Sequence, residues 1–188
     1  MYDIENIKND LRENLSEYRY NHSLNVAEEC VKLADKYGVD KEKAYLTGLV
    51  HDIAKEFSDE VNLCYINKYG LNDDYINFSR IIHSYVGAFY LKEKYNMDED
   101  IVKAVMVHTV PSLDMSLLDK ILFVADKIEK GKDYPGIEEE REIAYIDLDK
   151  ALLLCLENNY KKLESKGKRM HPNGIKVLKL LKKKFDLQ

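Results

Sequence analysis

Helical periodicity runs along almost the whole of this 188-residue chain, and it restricts the fold more than any other feature. Apolar residues recur at three- and four-residue spacing, whereas the alternation that marks a β-strand is missing. The segment 41–56 (KEKAYLTGLVHDIAKE) is apolar on nearly every side, so we expect it to be the central helix of a bundle. We therefore predict an all-α fold, a helical bundle built as a single domain.

Capping residues and glycines divide this pattern into separate helices. Ser16, Asp40 and Ser58 precede periodic segments, and Gly38 and Gly70 follow them. The predicted helices cover 3–14, 17–37, 41–56, 59–69, 73–80, 83–95, 98–109, 116–130, 138–144, 148–165 and 173–185. We place the core of the domain at about 17–130, with the helices of 138–185 packed on it.

Composition and charge exclude several classes of protein. The net charge of −5 disfavours bulk binding to nucleic acid, and no apolar run is long enough to span a membrane. The first residues are too polar for a signal peptide. Three cysteines without a CxxC spacing (Cys30, Cys64 and Cys155) indicate buried thiols in a reducing cytoplasm. We expect a cytoplasmic protein and leave its oligomeric state open, with a homodimer among the alternatives.

Four of the five histidines fall on the inward faces of predicted helices, as does one aspartate. These residues are His22, His51, His83, His108 and Asp126, and Asp52 directly follows His51. Each buried histidine taken alone is usually a hydrogen-bonded core residue, and one His-Asp pair is weak evidence. As a set, however, they would each need a separate partner, because burying an unpaired carboxylate costs several kcal/mol.

One or two metal ions would satisfy all of these groups at once. Imidazole and carboxylate ligands suit iron, manganese, zinc, cobalt or nickel better than calcium or magnesium. A metal ion in such a site lowers the pKa of a bound water and makes it a nucleophile. His171, which lies in the lysine-rich C-terminal segment, is predicted not to be a ligand. A structural protein with core histidines remains an alternative.

The order of these residues resembles that of the HD-domain phosphohydrolases. Longer segments resemble the bacterial YqeK-type HD proteins, namely RYNHSLNVAEECVKLADKYGVD (19–40), KAYLTGLVHDIAKE (43–56), IIHSYVGAFYLKEKY (81–95), IVKAVMVHT (101–109) and ILFVADKIEKGKDYPGIEEER (121–141). The resemblance covers about residues 11–165. It implies symmetrical hydrolysis of diadenosine tetraphosphate to two ADP by a metal-activated hydroxide.

The same resemblance implies a role for each candidate residue. It makes His22, His51, Asp52 and Asp126 ligands of a first metal ion, with His83 and His108 completing a two-metal centre bridged by Asp52. A pair of iron ions is what such a centre suggests. We expect Asp52 and Lys55 to be catalytic, since Lys55 lies one turn after His51, although a surface lysine is the alternative. The residues expected to contact substrate are Arg19, Lys55, Thr109, Lys132, Tyr134 and Arg141.

Two departures from the family pattern concern the substrate. Thr109-Val110-Pro111 stands where Thr-Thr-Gly is common, and Lys132 stands where arginine is usual. We therefore predict a hydrolase of dinucleoside polyphosphates and keep two alternatives. One is a nucleotidase or phosphodiesterase acting on another nucleotide, because one fold hosts many activities. The other is a sensor that binds a nucleotide without hydrolysing it.

Overall fold

A computed structural model describes residues 2–71 and 81–186 of the chain. These residues form ten helices and no strand, which confirms the predicted all-α class. The helices are α1 (Ile4–Asn14), α2 (Glu17–Tyr37), α3 (Lys41–Val50), α4 (Asp59–Tyr69), α5 (Ile82–Tyr95), α6 (Glu99–Val107), α7 (Leu117–Ile128), α8 (Ile137–Ala144), α9 (Leu148–Glu164) and α10 (Pro172–Lys184). The helix predicted over 73–80 lies outside the described residues.

Most helices begin where a side chain can bond the free N–H groups of the first turn. The Asp40 side chain accepts from Lys43 N at 2.9 Å, and the Ser58 side chain accepts from Val61 N. Ser116 and Asp119 form a capping box at the start of α7. Ser16 differs, because its N and Oγ contact the Glu56 carboxylate at 2.5 and 3.0 Å and its side chain caps nothing.

The predicted helix over 41–56 is too long, because α3 ends at Val50. Beyond it the chain tightens into turns, in which Ile53 N donates to Val50 O and Lys55 N donates to Asp52 O at 2.8 Å. Side chains three residues apart lie on the same side of such a turn. The tightening therefore brings Asp52 and Lys55 together, with Lys55 Nζ 3.6 Å from Asp52 Oδ1.

Two clusters of buried side chains form the core. One includes residues of α7, α9 and α10, and the other includes residues of α1, α3 and α5. Helices α2, α3 and α6 contribute to both clusters. The C-terminal helices thus share buried surface with α2 and α7. That the whole chain forms one domain stays a prediction.

A glycine lets α2 and α3 approach each other closely. A Cβ added at Gly48 would lie 2.7 Å from the Cα of Ala27, closer than real Cβ atoms come. Any larger residue would push the two helices apart. Since α2 carries His22 and α3 leads directly into His51, this contact sets the separation of two candidate ligands.

One expectation about the cysteines is wrong. Cys30 and Cys155 are buried, but Cys64 is exposed. It lies on α4, which has no fully buried residue and packs mainly on α5. Among the described residues, no helix is both long and apolar enough to cross a membrane.

Candidate metal centre

The six predicted ligands converge from five parts of the chain. His22 lies on α2, His83 on α5 and Asp126 on α7, while His51 and His108 directly follow the last residues of α3 and α6. All of them are buried except Asp126, whose side chain is 13% exposed. Residues far apart in sequence thus present their polar atoms to one small volume.

Two groups of three ligand atoms have the spacing that a metal ion needs. The first joins His22, His51 and Asp52, and the second joins Asp52, His83 and His108, with all atoms of each group within 4.8 Å of one another. Asp52 belongs to both groups. Its Oδ2 lies 3.7 Å from His51 Nε2, while its Oδ1 lies 3.1 Å from His83 Nε2. One carboxylate therefore faces both groups.

Asp126 adds a second carboxylate to the first group. Its Oδ1 lies 3.0 Å from His22 Nε2 and 3.8 Å from His51 Nε2. The arrangement thus supplies two imidazoles and the Asp126 carboxylate on one side of Asp52 and two imidazoles on the other. Histidine nitrogen and carboxylate oxygen are the ligands preferred by zinc and by iron, manganese and their neighbours.

Backbone carbonyls fix the direction in which two imidazoles present their lone pairs. His51 Nδ1 lies 2.7 Å from Gly48 O, and His108 Nδ1 lies 2.6 Å from Val105 O. Because a carbonyl only accepts hydrogen bonds, each Nδ1 must carry the proton. The Nε2 atoms of both rings thus point away from the backbone and face the Asp52 carboxylate, and in a neutral ring this nitrogen carries the lone pair that a metal ligand needs.

Two buried polar atoms in the centre have no hydrogen-bond partner among the described residues. They are His51 Nε2 and Asp52 Oδ1. The Nε2 atoms of His83 and His108 also lie only 3.2 Å apart. Leaving a buried acceptor unsatisfied is costly, and native structures do so for a reason. A divalent metal ion fits this donor set, since it would engage the orphaned atoms together.

Burial keeps two imidazoles neutral at physiological pH. It lowers the pKa of His51 to about 3 and that of His83 to about 4. Burial acts to raise the pKa of Asp52, but the neighbouring imidazoles and Lys55 outweigh it and hold that pKa well below its usual range. The centre therefore offers neutral nitrogens and ionised oxygens, the protonation states in which these groups bind metals.

His22 is the exception to this pattern. Burial lowers its pKa, but hydrogen bonds to Asp126 and Glu129 outweigh burial and leave the pKa raised. A metal ion would therefore have to displace a proton from His22 when it binds.

Two of the predicted substrate-binding residues lie at the centre. Lys55 Nζ is 3.0 Å from His83 Nε2, and Arg19 Nη1 is 3.3 Å from Asp52 Oδ2. The Arg19 side chain is 30% exposed, so it reaches from the surface to the buried carboxylate. Both side chains therefore lie beside the buried Asp52 carboxylate, and their binding of phosphate stays a prediction.

Of the other four, Thr109, Tyr134 and Arg141 have side-chain partners within the protein. Thr109, next to His108, donates to Ser84 Oγ at 3.0 Å. Lys132 and Tyr134 lie in the segment after α7, where the Tyr134 hydroxyl donates to the Glu140 carboxylate. The guanidinium of Arg141 bonds three backbone carbonyls. Their roles toward substrate stay predictions.

Glu129 borders the centre and is not among the residues predicted from the sequence. It is 3% exposed, and its Oε1 lies 3.1 Å from His22 Nδ1. One signal was available, because a carboxylate directly after the last residue of a helix faces the negative end of the helix dipole. A glutamate at this unfavourable position, three residues after Asp126, indicates that its carboxylate has a specific partner.

Comparison with known proteins agrees with this geometry. Residues 19–131 match the HD domain, and the chain belongs to the HD-domain family. Within it, the chain is similar to proteins named symmetrical bis(5'-nucleosyl)-tetraphosphatase. That of Halalkalibacterium halodurans is 36% identical, with 88% of this chain and 89% of the relative covered. That of Staphylococcus aureus is 38% identical, with 76% and 74% covered.

A solved structure extends the similarity to almost the whole fold. A crystal structure from Clostridium acetobutylicum, described as a predicted HD superfamily hydrolase involved in NAD metabolism, superimposes with a TM-score of 0.93. It is 38% identical in sequence, and the superposition covers 98% of this chain and 99% of the other. The described helices thus have the arrangement of an HD superfamily hydrolase.

Proposed function

We propose that this protein is a metal-dependent hydrolase that cleaves diadenosine tetraphosphate symmetrically into two ADP. The observation that carries the proposal is the convergence of four buried histidines and Asp126 on the buried Asp52, with His51 Nε2 and Asp52 Oδ1 lacking a hydrogen-bond partner among the described residues. The names of the relatives supply the substrate, because they match this chain over most of their own length.

The ligand set divides into two parts that share one carboxylate. His22, His51, Asp52 and Asp126 would hold one metal ion, and Asp52, His83 and His108 would hold a second. Metal ions held here would lower the pKa of a water molecule and offset the charge on the phosphate oxygens. We propose iron for both positions, on the family resemblance, while the nitrogen and oxygen donors fit manganese, cobalt, nickel and zinc as well.

The chain's own residues position the substrate. Lys55 and Arg19 bracket the Asp52 carboxylate, and we assign them the binding of phosphate oxygens beside the scissile bond. In the reaction one water oxygen bonds to a central phosphorus, and the bond from that phosphorus to the bridging oxygen breaks. The bridging oxygen leaves with the second ADP, so that one water yields two identical products.

Metal content and reaction products together test this proposal. The purified chain is analysed for metals and incubated with diadenosine tetraphosphate, and the products are separated by chromatography. We expect bound transition metal and ADP as the sole product. Release of orthophosphate, or hydrolysis of another nucleotide but not of diadenosine tetraphosphate, would indicate the alternative nucleotidase or phosphodiesterase. Intact ligand after long incubation would indicate a sensor. A chain that takes up no metal after anaerobic loading contradicts the proposal.

A histidine outside the centre offers a matched control. Nδ1 of His171 accepts from Asn173 N at the start of α10. His171→Asn keeps a capping side chain there and should retain metal and activity, whereas His51→Asn should lose both. Equal activity of the two variants would contradict the assignment of the centre.

Three further expectations remain predictions for this chain. They are its cytoplasmic location, the absence of nucleic-acid binding and the choice between monomer and homodimer. Each is separable from the chemistry of the centre.

A further inference from the structure

The Glu129 carboxylate is held from several sides just outside the metal centre. Its Oε1 lies 3.1 Å from His22 Nδ1, and its Oε2 accepts from Gly131 N at 2.5 Å. A Cβ added at Gly131 would lie 3.0 Å from Oε2 and 3.1 Å from the Asn25 side chain, so the glycine leaves no spare room. The position of this carboxylate is therefore closely defined.

Glu129 determines which nitrogen of His22 faces the metal ligands. It engages Nδ1, so that Nε2 points at Asp126 Oδ1, 3.0 Å away. A carboxylate on the far nitrogen of a metal-binding histidine fixes the tautomer and orientation of the ring and makes it a better ligand. In His51 and His108 backbone carbonyls do the same. The Nδ1 atom of His22 is instead held by the Glu129 side chain, whose position depends on the backbone segment that carries Glu129.

That segment is held by Arg141, on α8. Nε of Arg141 donates to Ile128 O at 2.9 Å, and Nη2 donates to Glu129 O and Lys132 O at 3.0 Å each. Nη1 donates to Glu138 at 2.6 Å. Four of the five N–H groups of the guanidinium are thus engaged within the protein, three of them on the carbonyls that flank the Glu129 side chain.

We propose that Glu129 is a positioning residue for His22 and that Arg141 holds the 128–132 segment so that Glu129 can act. Arg141 then contributes to the metal centre through this segment and not by contacting the phosphate. The inference rests on the proposed function, because it assumes that His22 binds a metal ion.

Cobalt binding tests the proposal without relying on turnover. Co²⁺ is titrated into the metal-stripped chain, its affinity is measured from visible absorption, and kcat and KM for diadenosine tetraphosphate are measured separately. We expect Glu129→Gln to weaken Co²⁺ binding by about 10- to 100-fold and to lower kcat while KM stays unchanged. Glu139→Gln, an exposed change of the same type on α8, should match the unchanged protein. Native Co²⁺ affinity in Glu129→Gln would overturn the inference.

Arg141→Lys separates positioning from substrate contact. Lysine cannot reproduce the fork of donors, so we expect Co²⁺ affinity to fall by roughly tenfold at unchanged KM. A raised KM with native Co²⁺ affinity would assign Arg141 to phosphate binding and overturn its positioning role.

Gly131→Ala provides a second route to the same answer if Arg141→Lys fails to fold. The added Cβ presses on the Glu129 carboxylate without removing it, so Co²⁺ binding should weaken in this variant too. Unchanged binding would contradict the inference. If the unchanged protein binds no Co²⁺, both the proposed function and this inference fail. If the unchanged protein binds Co²⁺ and the variants bind it equally well, only this inference fails.

Discussion

Two aspartates in this molecule are almost equally buried and yet have opposite environments. Asp10 on α1 is 6% exposed and Asp52 is 3% exposed. Both oxygens of Asp10 accept hydrogen bonds, from the Tyr90 and Tyr95 hydroxyls, Lys94 Nζ and Asn14 Nδ2. Asp52, by contrast, keeps Oδ1 without a hydrogen-bond partner among the described residues and is surrounded by imidazoles.

The difference shows how a structural carboxylate can be told from a ligand. The partners of Asp10 are donors, so its charge is satisfied within the protein and ties α1 to α5. Arg19 donates to Asp52 Oδ2 at 3.3 Å, but Asp52 Oδ1 faces the Nε2 atoms of His83 and His108, and a ring nitrogen that carries a lone pair is an acceptor like the carboxylate itself. Acceptors that converge without donors need a cation, whereas acceptors met by donors do not.

The largest expected effect comes from replacing Asp52, which in the proposed function serves both metal positions. Asp52→Asn keeps the shape of the side chain but removes the charge, and we expect kcat/KM to fall by roughly 10³-fold or more, about 4 kcal/mol. Steady-state hydrolysis of diadenosine tetraphosphate and elemental analysis measure the loss, and circular dichroism checks that the helices persist. Activity within tenfold of the unchanged protein would contradict a shared ligand.

Metal removal should affect the two aspartate variants differently. A ligand at about 100 times its dissociation constant stabilises the folded state by about 2.7 kcal/mol. For a chain of this size we expect the metal to raise Tm by roughly 5–10 °C. The same shift should occur in Asp10→Asn and be absent in Asp52→Asn, as followed by thermal denaturation with and without chelator. A metal-induced shift in Asp52→Asn equal to that of the unchanged protein would contradict this prediction.

Asp10→Asn should lower stability and leave catalysis alone. The amide cannot accept from all of the donors around it, and the charge that Lys94 meets is lost. We expect the free energy of unfolding to fall by about 2 kcal/mol, measured by urea denaturation. The kcat of the folded fraction should stay within twofold, and a large fall in kcat would mean that the Asp10 cluster is not purely structural.

The sequence predicted the helices, and the inward polar residues that converge in the candidate centre, better than the contacts between distant residues. Capping residues such as Asp40 and Ser58 bond backbone groups within one turn, so the neighbouring sequence is enough to predict them. His22 and Asp126 were found because inward polar residues break an apolar face. The end of α3 at Val50 was missed, because the apolar pattern continues through 51–56 while the backbone tightens into turns.

Contacts between remote segments leave no periodic trace in the sequence. Glu129 meets His22 across 107 residues, and Asp10 meets Tyr90 across 80. Glu129 and Asp10 lie next to apolar residues whose spacing predicts a helix whether or not the carboxylate is present. Such pairs become visible only when the packing of α2 against α7, or of α1 against α5, is known.

The smallest expected effect is the pH dependence of the contribution of Asp10. Burial acts to raise the pKa of this carboxyl, but hydrogen bonds from Lys94, Tyr95 and Tyr90 outweigh burial and lower the pKa below its usual range. A lowered pKa in the folded state stabilises the protein at pH values above the unfolded value, and this stability is lost as pH falls through the folded value. The advantage of the unchanged protein over Asp10→Asn should therefore be constant from pH 7 to about 5 and shrink below about pH 4.

Urea denaturation of the metal-stripped proteins at four pH values measures this difference in the free energy of unfolding. Asp35→Asn, which changes an exposed aspartate on α2, is the control. A gap that persists undiminished at pH 3 would mean that the donors around Asp10 do not stabilise its ionised form.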